Sequence, residues 1–269
     1  MKILYLGDIM GRPGREAVIA AVPGLRTQYD LDFVIACGEN AAHGFGITAS
    51  ICQQLYACGV DVVTLGNHAW DQREILEYIK TEPRLLRPLN YPPDTPGKGY
   101  GVYMTAKRVR VLVVQVICRL FMGDSDDPFR ALEQIVADHP MGADKQVGAI
   151  VVDVHGEASS EKSALANLVD GKISLAVGSH SHVPTADARI LPGGSGYQTD
   201  AGMCGPYDSV IGMRKDVATN KFRSKVPGER LEPASGAATV CGVIVDTDDR
   251  TGLAKAIHPL RVGGVLQPT

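Results

Sequence analysis

The sequence has no apolar run near the roughly 20 residues that a membrane-spanning helix needs, so nothing in it argues for a helical anchor. Its six cysteines (Cys37, Cys52, Cys58, Cys118, Cys204 and Cys241) are scattered and form no CxxC pairs. Neither a zinc ribbon nor a compact disulfide framework is expected, and most of them read as small core residues. Charge of one sign is missing too: 27 basic against 30 acidic residues give a net charge of -3, with no Lys/Arg run that would leave a strong nucleic-acid footprint. The glycine-rich stretch from Gly7 to Gly14 lacks GxGxxG spacing and the Lys-Ser/Thr of a P-loop, which removes two common nucleotide phosphate cradles. Internal repeats and low-complexity segments are absent. Lys2 leads straight into a short apolar strand, unlike a secretory signal, so a soluble cytoplasmic protein is the default expectation.

What is present suits a large buried core. The chain has 269 residues, of which 45% are hydrophobic, and a single domain over 1–269 is expected. Lys2 to Leu6, Phe33 to Cys37 and Val60 to Leu65 are apolar, β-branched runs of the kind covered on both faces. Helical patterns lie between them, over Arg15 to Tyr29 and over Ala49 to Cys58, the latter with Thr48 as N-cap and Gly59 as its stop. This alternation predicts βαβ units and a largely parallel sheet. A further helix is expected from Asp71, as cap, to Lys80, with Glu74 completing a capping box. The prolines between Glu82 and Gly99 predict an extended connection across the surface. A hairpin follows, Gly101 to Thr105 and Val109 to Val116, and then α/β alternation resumes through Ile173 to Val177. Ala238 to Val245 and Leu253 to Leu260 read as antiparallel strands completing a second sheet.

Chemistry-bearing residues collect where the predicted strands end. Gly7-Asp8, Gly38-Glu39-Asn40, Gly66-Asn67-His68, His155-Gly156-Glu157 and Gly178-Ser179-His180-Ser181-His182 all follow apolar runs. Strand carboxyl ends are where ligands gather in open α/β sheets. Carboxylates, imidazoles and amide oxygens without thiolate are donors for divalent first-row metals. Asp8, Glu39, Asn40, Asn67, His155, His180 and His182 outnumber the ligands of one closed site, so two metals are expected. His180 and His182 would share one side of an extended segment, and Glu39 could bridge the pair of ions. Such a pair activates water for displacement at phosphorus.

In this order the motifs resemble those of calcineurin-like metallophosphoesterases. More narrowly, Gly7-Asp8-Ile9-Met10-Gly11, Gly38-Glu39-Asn40-Ala41-Ala42 and Gly44-Phe45-Gly46-Ile47-Thr48 resemble the bacterial YmdB-type branch, over Met1 to about Leu260. The resemblance implies an α/β fold in a four-layer αββα sandwich and hydrolysis of a small-molecule phosphodiester. In this branch the substrates are cyclic nucleotides, 2',3'-cyclic and also 3',5'-cyclic. It implies a binuclear centre of divalent or mixed-valence transition metals, iron or manganese ahead of zinc. Asp8, Asn40 and His182 would hold the first metal, Asn67, His155 and His180 the second, and Glu39 would bridge both. His68 would stay off the metal and protonate the leaving oxygen, a role that an imidazole can fill near neutral pH, with Asp71 to orient it. Met10 stands where many superfamily members carry a metal-binding His, and Glu39 where many carry a bridging Asp; both departures match the narrower branch.

Plainer readings compete. Asp8 and Glu39 could be helix caps, and Asn67 an ordinary turn residue. Arg12, Arg15 and Arg119 are read as structural rather than phosphate-binding, His43 as a loop or rim residue, His139 and His258 as structural, and Trp70 and Tyr207 as packing anchors. Other functions stay open: a phosphatase or diesterase acting on another small phosphate ester, a metal-dependent amidohydrolase, and a non-catalytic nucleotide-sensing regulator. The HxH of an amidohydrolase usually follows the first strand, whereas His180 comes late. Homo-oligomerisation is also open.

Overall fold

The computed structural model describes residues 1–224 and 228–269. The first half runs β1 (Lys2–Leu6), β2 (Asp8–Ile9), α1 (Gly11–Tyr29), β3 (Phe33–Cys37), α2 (Ala49–Cys58), β4 (Val62–Thr64), α3 (Ile75–Tyr78) and β5 (Leu85–Leu86). The chain continues with β6 (Tyr100–Met104), β7 (Arg110–Ile117), α4 (Pro128–Asp138), β8 (Ala149–His155), α5 (Ser159–Leu168) and β9 (Leu175–Ser179). It closes with β10 (Arg189–Ile190), β11 (Gly196–Gln198), β12 (Met203–Pro206), α6 (Lys215–Arg223), β13 (Ala238–Thr247) and β14 (Ala254–Val262).

Among the described residues these strands form two sheets. One has the order β2-β12-β13-β1-β3-β4-β5, with β14 on β13; the other has the order β10-β11-β9-β8-β7-β6. The expected parallel cores are present, β1-β3-β4-β5 in the first sheet and β7-β8-β9-β11 in the second. The predicted hairpin is β6 paired antiparallel to β7.

Side-chain parity explains how the layers stack. Along β1, Leu4 and Leu6 pack with Val18, Val22 and Leu25 of α1, while Ile3 and Tyr5 turn the other way. Along β8, Ile150, Val152 and Val154 pack with Leu132 and Leu165 of the helices α4 and α5, while Ala149 and Val151 meet Ile3, Tyr5, Phe33 and Ile35 of the opposite sheet. A strand whose two faces are both apolar has to be covered twice, which produces the order helices, sheet, sheet, helices. The face between the sheets ends in Cys37 on β3, Thr64 on β4, Asp153 and His155 on β8, and Ser179 on β9, all buried. The alternation that packs the inner core therefore also delivers polar groups to one end of it.

Four expectations are corrected. The last two long strands join the first sheet, where β13 lies antiparallel to β1, because their apolar residues Val243 and Val245 complete the core beside Ile3 and Tyr5. The helix predicted from Asp71 to Lys80 is a single turn, Ile75–Tyr78. Its supposed capping groups serve other partners: Asp71 bonds His68, and Glu74 accepts the Ala49 N–H at the start of α2, where Thr48 also caps as expected. The proline-rich segment is only partly superficial, since Arg87, Pro88 and Asn90 are buried and Asn90 exchanges hydrogen bonds with Ile117 of β7. Finally, the His180-Ser181-His182 segment is not extended. His180 and His182 have φ of 96° and 63°, so the i, i+2 alternation argument does not describe how they meet.

Candidate metal centre

The seven residues expected as ligands gather at the carboxyl ends of β1, β3, β4, β8 and β9, between the two sheets. Asp8, Glu39, Asn40, His155 and His182 are buried, while Asn67 and His180 are half-buried. Two groupings stand out. In one, His155 Nε2 lies 2.9 Å from Asn67 Oδ1 and 3.2 Å from Glu39 Oε1. In the other, His182 Nε2 lies 3.3 Å from Asn40 Oδ1 and 3.9 Å from Asp8 Oδ1. His180 joins the first grouping: ligand atoms of Glu39, His155 and His180 fall within 4.8 Å of one another, and its ring meets that of His155 edge-on at 5.0 Å. Its Nε2 also faces Glu157 Oε2 at 3.3 Å, and its backbone N–H donates to Asp8 Oδ2 at 3.0 Å.

Proton counting at these histidines tests whether a metal fits. Ser179 Oγ donates to Asp153 Oδ1 at 2.7 Å, so it can only accept from His155 Nδ1 at 2.8 Å. Asp153 is held in turn by Thr64 Oγ1, which donates to its second oxygen at 2.6 Å. With its proton fixed on Nδ1, neutral His155 presents a bare Nε2 to two further acceptors. His182 follows the same logic. Its Nδ1–H donates to the Ile211 carbonyl at 2.8 Å, and Asn40 Nδ2 donates to the Gly44 carbonyl, which turns the Asn40 oxygen toward the bare Nε2. Lone pairs that converge in a buried place call for a cation between them, and these N and O donors suit divalent first-row metals.

Without a metal, a proton meets part of that demand. Burial works against charge on both partners, yet Glu39 is held below the usual carboxylate range by His155, and His155 is held above the usual imidazole range by Glu39. Burial, aided by the neighbouring His155 charge, drops His180 to about 4. Cys37 is buried beside Asp8 and its Sγ donates to Asp8 Oδ1 at 3.4 Å; burial pushes the thiol well up in the metal-free site, and ligand atoms of Asp8, Cys37 and His155 fall within 4.8 Å of one another. Met10 packs fully buried against Met203 and Met213, out of any ligand role.

His68 sits beside this cluster. Its Nδ1–H donates to Asp71 Oδ2 at 2.7 Å, its backbone N–H donates to Glu39 Oε2 at 2.9 Å, and the Phe45 ring abuts its own at 5.1 Å. Asp71 also borders a cleft of about 1070 Å³ lined by Phe45, Gln72, Asn220 and Lys221 among others. Close approach in the Asn67 loop depends on Gly66, where an added Cβ would lie 2.3 Å from His155 Nε2.

Arg12 pairs with Glu16 on an exposed helix face, Arg15 donates to the Ala41 carbonyl, and Arg119 uses its backbone N–H to bond Glu161. His43 is exposed at φ 54°, and His139 bonds the Ile135 carbonyl. Trp70 packs near Tyr91, and the Tyr207 hydroxyl lies 3.2 Å from the His182 carbonyl. Sequence reading missed the support groups Asp153, Ser179, Lys162, Asp200 and the Ile211 carbonyl. Alternation with His155 could have flagged Asp153, but no local signal marks Asp200 or Ile211, which arrive from distant segments.

Residues 4–260 match the family model described as YmdB-like protein. The chain is 43% identical, over 97% of both sequences, to the 2',3'-cyclic-nucleotide 2'-phosphodiesterase of Bacillus subtilis (strain 168). Among solved structures, a hypothetical protein from Thermus thermophilus superposes with a TM-score of 0.90 at 41% identity, covering 98% of this chain and 100% of that one. A phosphatase from Mycoplasma pneumoniae superposes with a TM-score of 0.88 at 30% identity, covering 98% and 93%.

Proposed function

The chain belongs to the YmdB-like family and is a hydrolase of phosphoesters, and from that premise we propose that it opens 2',3'-cyclic nucleotides, with 3',5'-cyclic nucleotides as a further substrate class. The observation that carries this reading is the convergence of donor atoms from Asn67, His155, Asn40 and His182 on the carboxylates Glu39 and Asp8, with the His68–Asp71 pair at their edge.

In this reading Asp8, Asn40 and His182 would hold one divalent ion and Asn67, His155 and His180 a second, with Glu39 available to both. Iron or manganese fits such donors ahead of zinc. Ions held there supply charge neutralisation at the phosphoryl oxygens and activation of water. The chain's own residues do the rest. Asp71 fixes the His68 ring through Nδ1, which leaves Nε2 as the atom that hands a proton to the departing alkoxide. Glu39 ties the His68 backbone to the centre, so acid and ligands keep a fixed spacing. The cleft beside Asp71 gives the nucleoside an aromatic ring, Phe45, and amide groups from Gln72 and Asn220.

The test compares manganese-loaded wild type and His68→Ala on 2',3'-cyclic AMP and on bis(p-nitrophenyl) phosphate. Loss of a general acid costs about 10²–10⁴-fold where the leaving group is a poor one. The variant should keep its manganese, lose turnover on the cyclic nucleotide by that factor, and lose much less on the nitrophenyl diester, whose leaving group departs without a proton. Equal losses on both substrates would refute the acid role, and undiminished hydrolysis by metal-stripped wild type would refute the metal centre.

A further inference from the structure

Behind the histidine loop lies a charged pair that the reaction does not use. Lys162 of α5 and Asp200, which follows β11, are 1% and 0% exposed and meet at 2.9 Å. Lys162 Nζ also donates to the Ser179 carbonyl at 2.7 Å. Asp200 Oδ2 accepts the Ser181 N–H at 3.1 Å, and its Oδ1 accepts the Gly202 N–H at 2.8 Å. The pair therefore grips the backbone on both sides of His180, by the carbonyl before it and the amide after it. Gly178 makes room: a Cβ there would lie 2.9 Å from Lys162 Cδ and closer still to the Thr199 carbonyl.

His180 and His182, with φ of 96° and 63°, occupy a backbone region that residues carrying a Cβ seldom adopt, and such conformations persist only where the surroundings over-determine them. A buried ion pair is a poor means of stabilising a fold, since apolar residues of similar size commonly serve as well or better. Placing both charges on the peptide groups that flank a strained histidine is different, because only polar atoms can hold those groups.

We propose that Lys162 and Asp200 are positioning residues that lock the 179–182 backbone in its metal-ligating conformation before any metal arrives. The proposal rests on the reading of the site as a metal centre. Neither side chain touches the candidate ligand atoms; both act through the backbone that carries His180 and His182.

Amide hydrogen exchange on the metal-free wild type tests it directly. The Ser181 amide should exchange as slowly as the interior amides of β9. Free exchange at 180–182, slowed only on adding manganese, would overturn the proposal by making the metal itself the organiser. In the Lys162→Met/Asp200→Leu variant, Ser181 should exchange at least tenfold faster, β8 and β1 amides should be unchanged, and manganese titration should show at least tenfold weaker binding. A folded variant that retains both Ser181 protection and manganese affinity overturns the pair's role, and if the variant does not fold, the wild-type exchange result decides. Wild type that binds no manganese instead sinks the metal-centre reading, so the two failures are distinguishable.

Discussion

On the proposed two-ion reading, replacing Ser179 by alanine should weaken the binding of one ion while leaving the fold nearly intact. With a metal bound, the Asp153–Ser179 relay would keep the His155 proton on Nδ1 and leave Nε2 bare for the ion. Alanine removes the acceptor, and a buried N–H without a partner costs about 1–3 kcal/mol. The imidazole escapes that cost by moving its proton to Nε2, where Asn67 Oδ1 and Glu39 Oε1 wait as acceptors. Metal binding must reverse this, so the same 1–3 kcal/mol weakens binding by about 5- to 150-fold at 1.36 kcal/mol per decade. The result brackets the roughly 10- to 100-fold losses commonly seen for groups that orient metal-bound histidines. His182 takes its tautomer from the Ile211 carbonyl and is untouched, so the second ion should stay. Manganese titration by calorimetry should then separate one wild-type-like site from one weakened site, and the spin-coupled resonance of a manganese pair should fade at limiting metal. Two sites of wild-type affinity in folded Ser179→Ala protein would refute the relay.

Two further outcomes follow from the structure. Gly66→Ala places a Cβ 2.3 Å from His155 Nε2, so the buried ring has to shift, and the variant should lose the ion expected at Asn67 and His155 and lower turnover at least 100-fold; unchanged manganese stoichiometry would contradict this. Asp187 gives the pH test: partial burial opposes its charge, but bonds from Thr185, Thr199 and Arg189 outweigh that and hold its pKa below the ordinary 3.8. A depressed carboxyl stabilises the fold above its unfolded pKa and loses that contribution as pH falls through the folded value. Asp187→Asn should therefore lower the urea midpoint by a constant amount between about pH 5 and 8, with the deficit shrinking toward about pH 3, and a deficit that grows on acidification would show the opposite sign.

The long elements were legible because their signals are local. β1 and β3 have the boundaries their apolar runs suggest, and Thr48 caps α2 as its position implies. Where legibility failed, a side chain was taken by a distant partner. Asp71 and Glu74 spell a helix start, but His68 and Ala49 claim them, and only one turn of helix remains. The terminal strands were seen as strands yet assigned to the wrong sheet, since an apolar β-run carries no mark of which partner it will pair with.

The sequence by itself placed carboxylates, amides and imidazoles at successive strand ends, in an order that named the family, and the resemblance to that family set His68 apart from the residues expected to bind metal. Only the tertiary structure decided how each donor is presented. The tautomers of His155 and His182 depend on Ser179, Asp153 and the Ile211 carbonyl, and the left-handed backbone at His180 is gripped by Lys162 and Asp200. The physical reason is range: strand alternation is a property of neighbouring residues, whereas a proton or a strained peptide is held by whatever group the folded chain brings within about 3 Å.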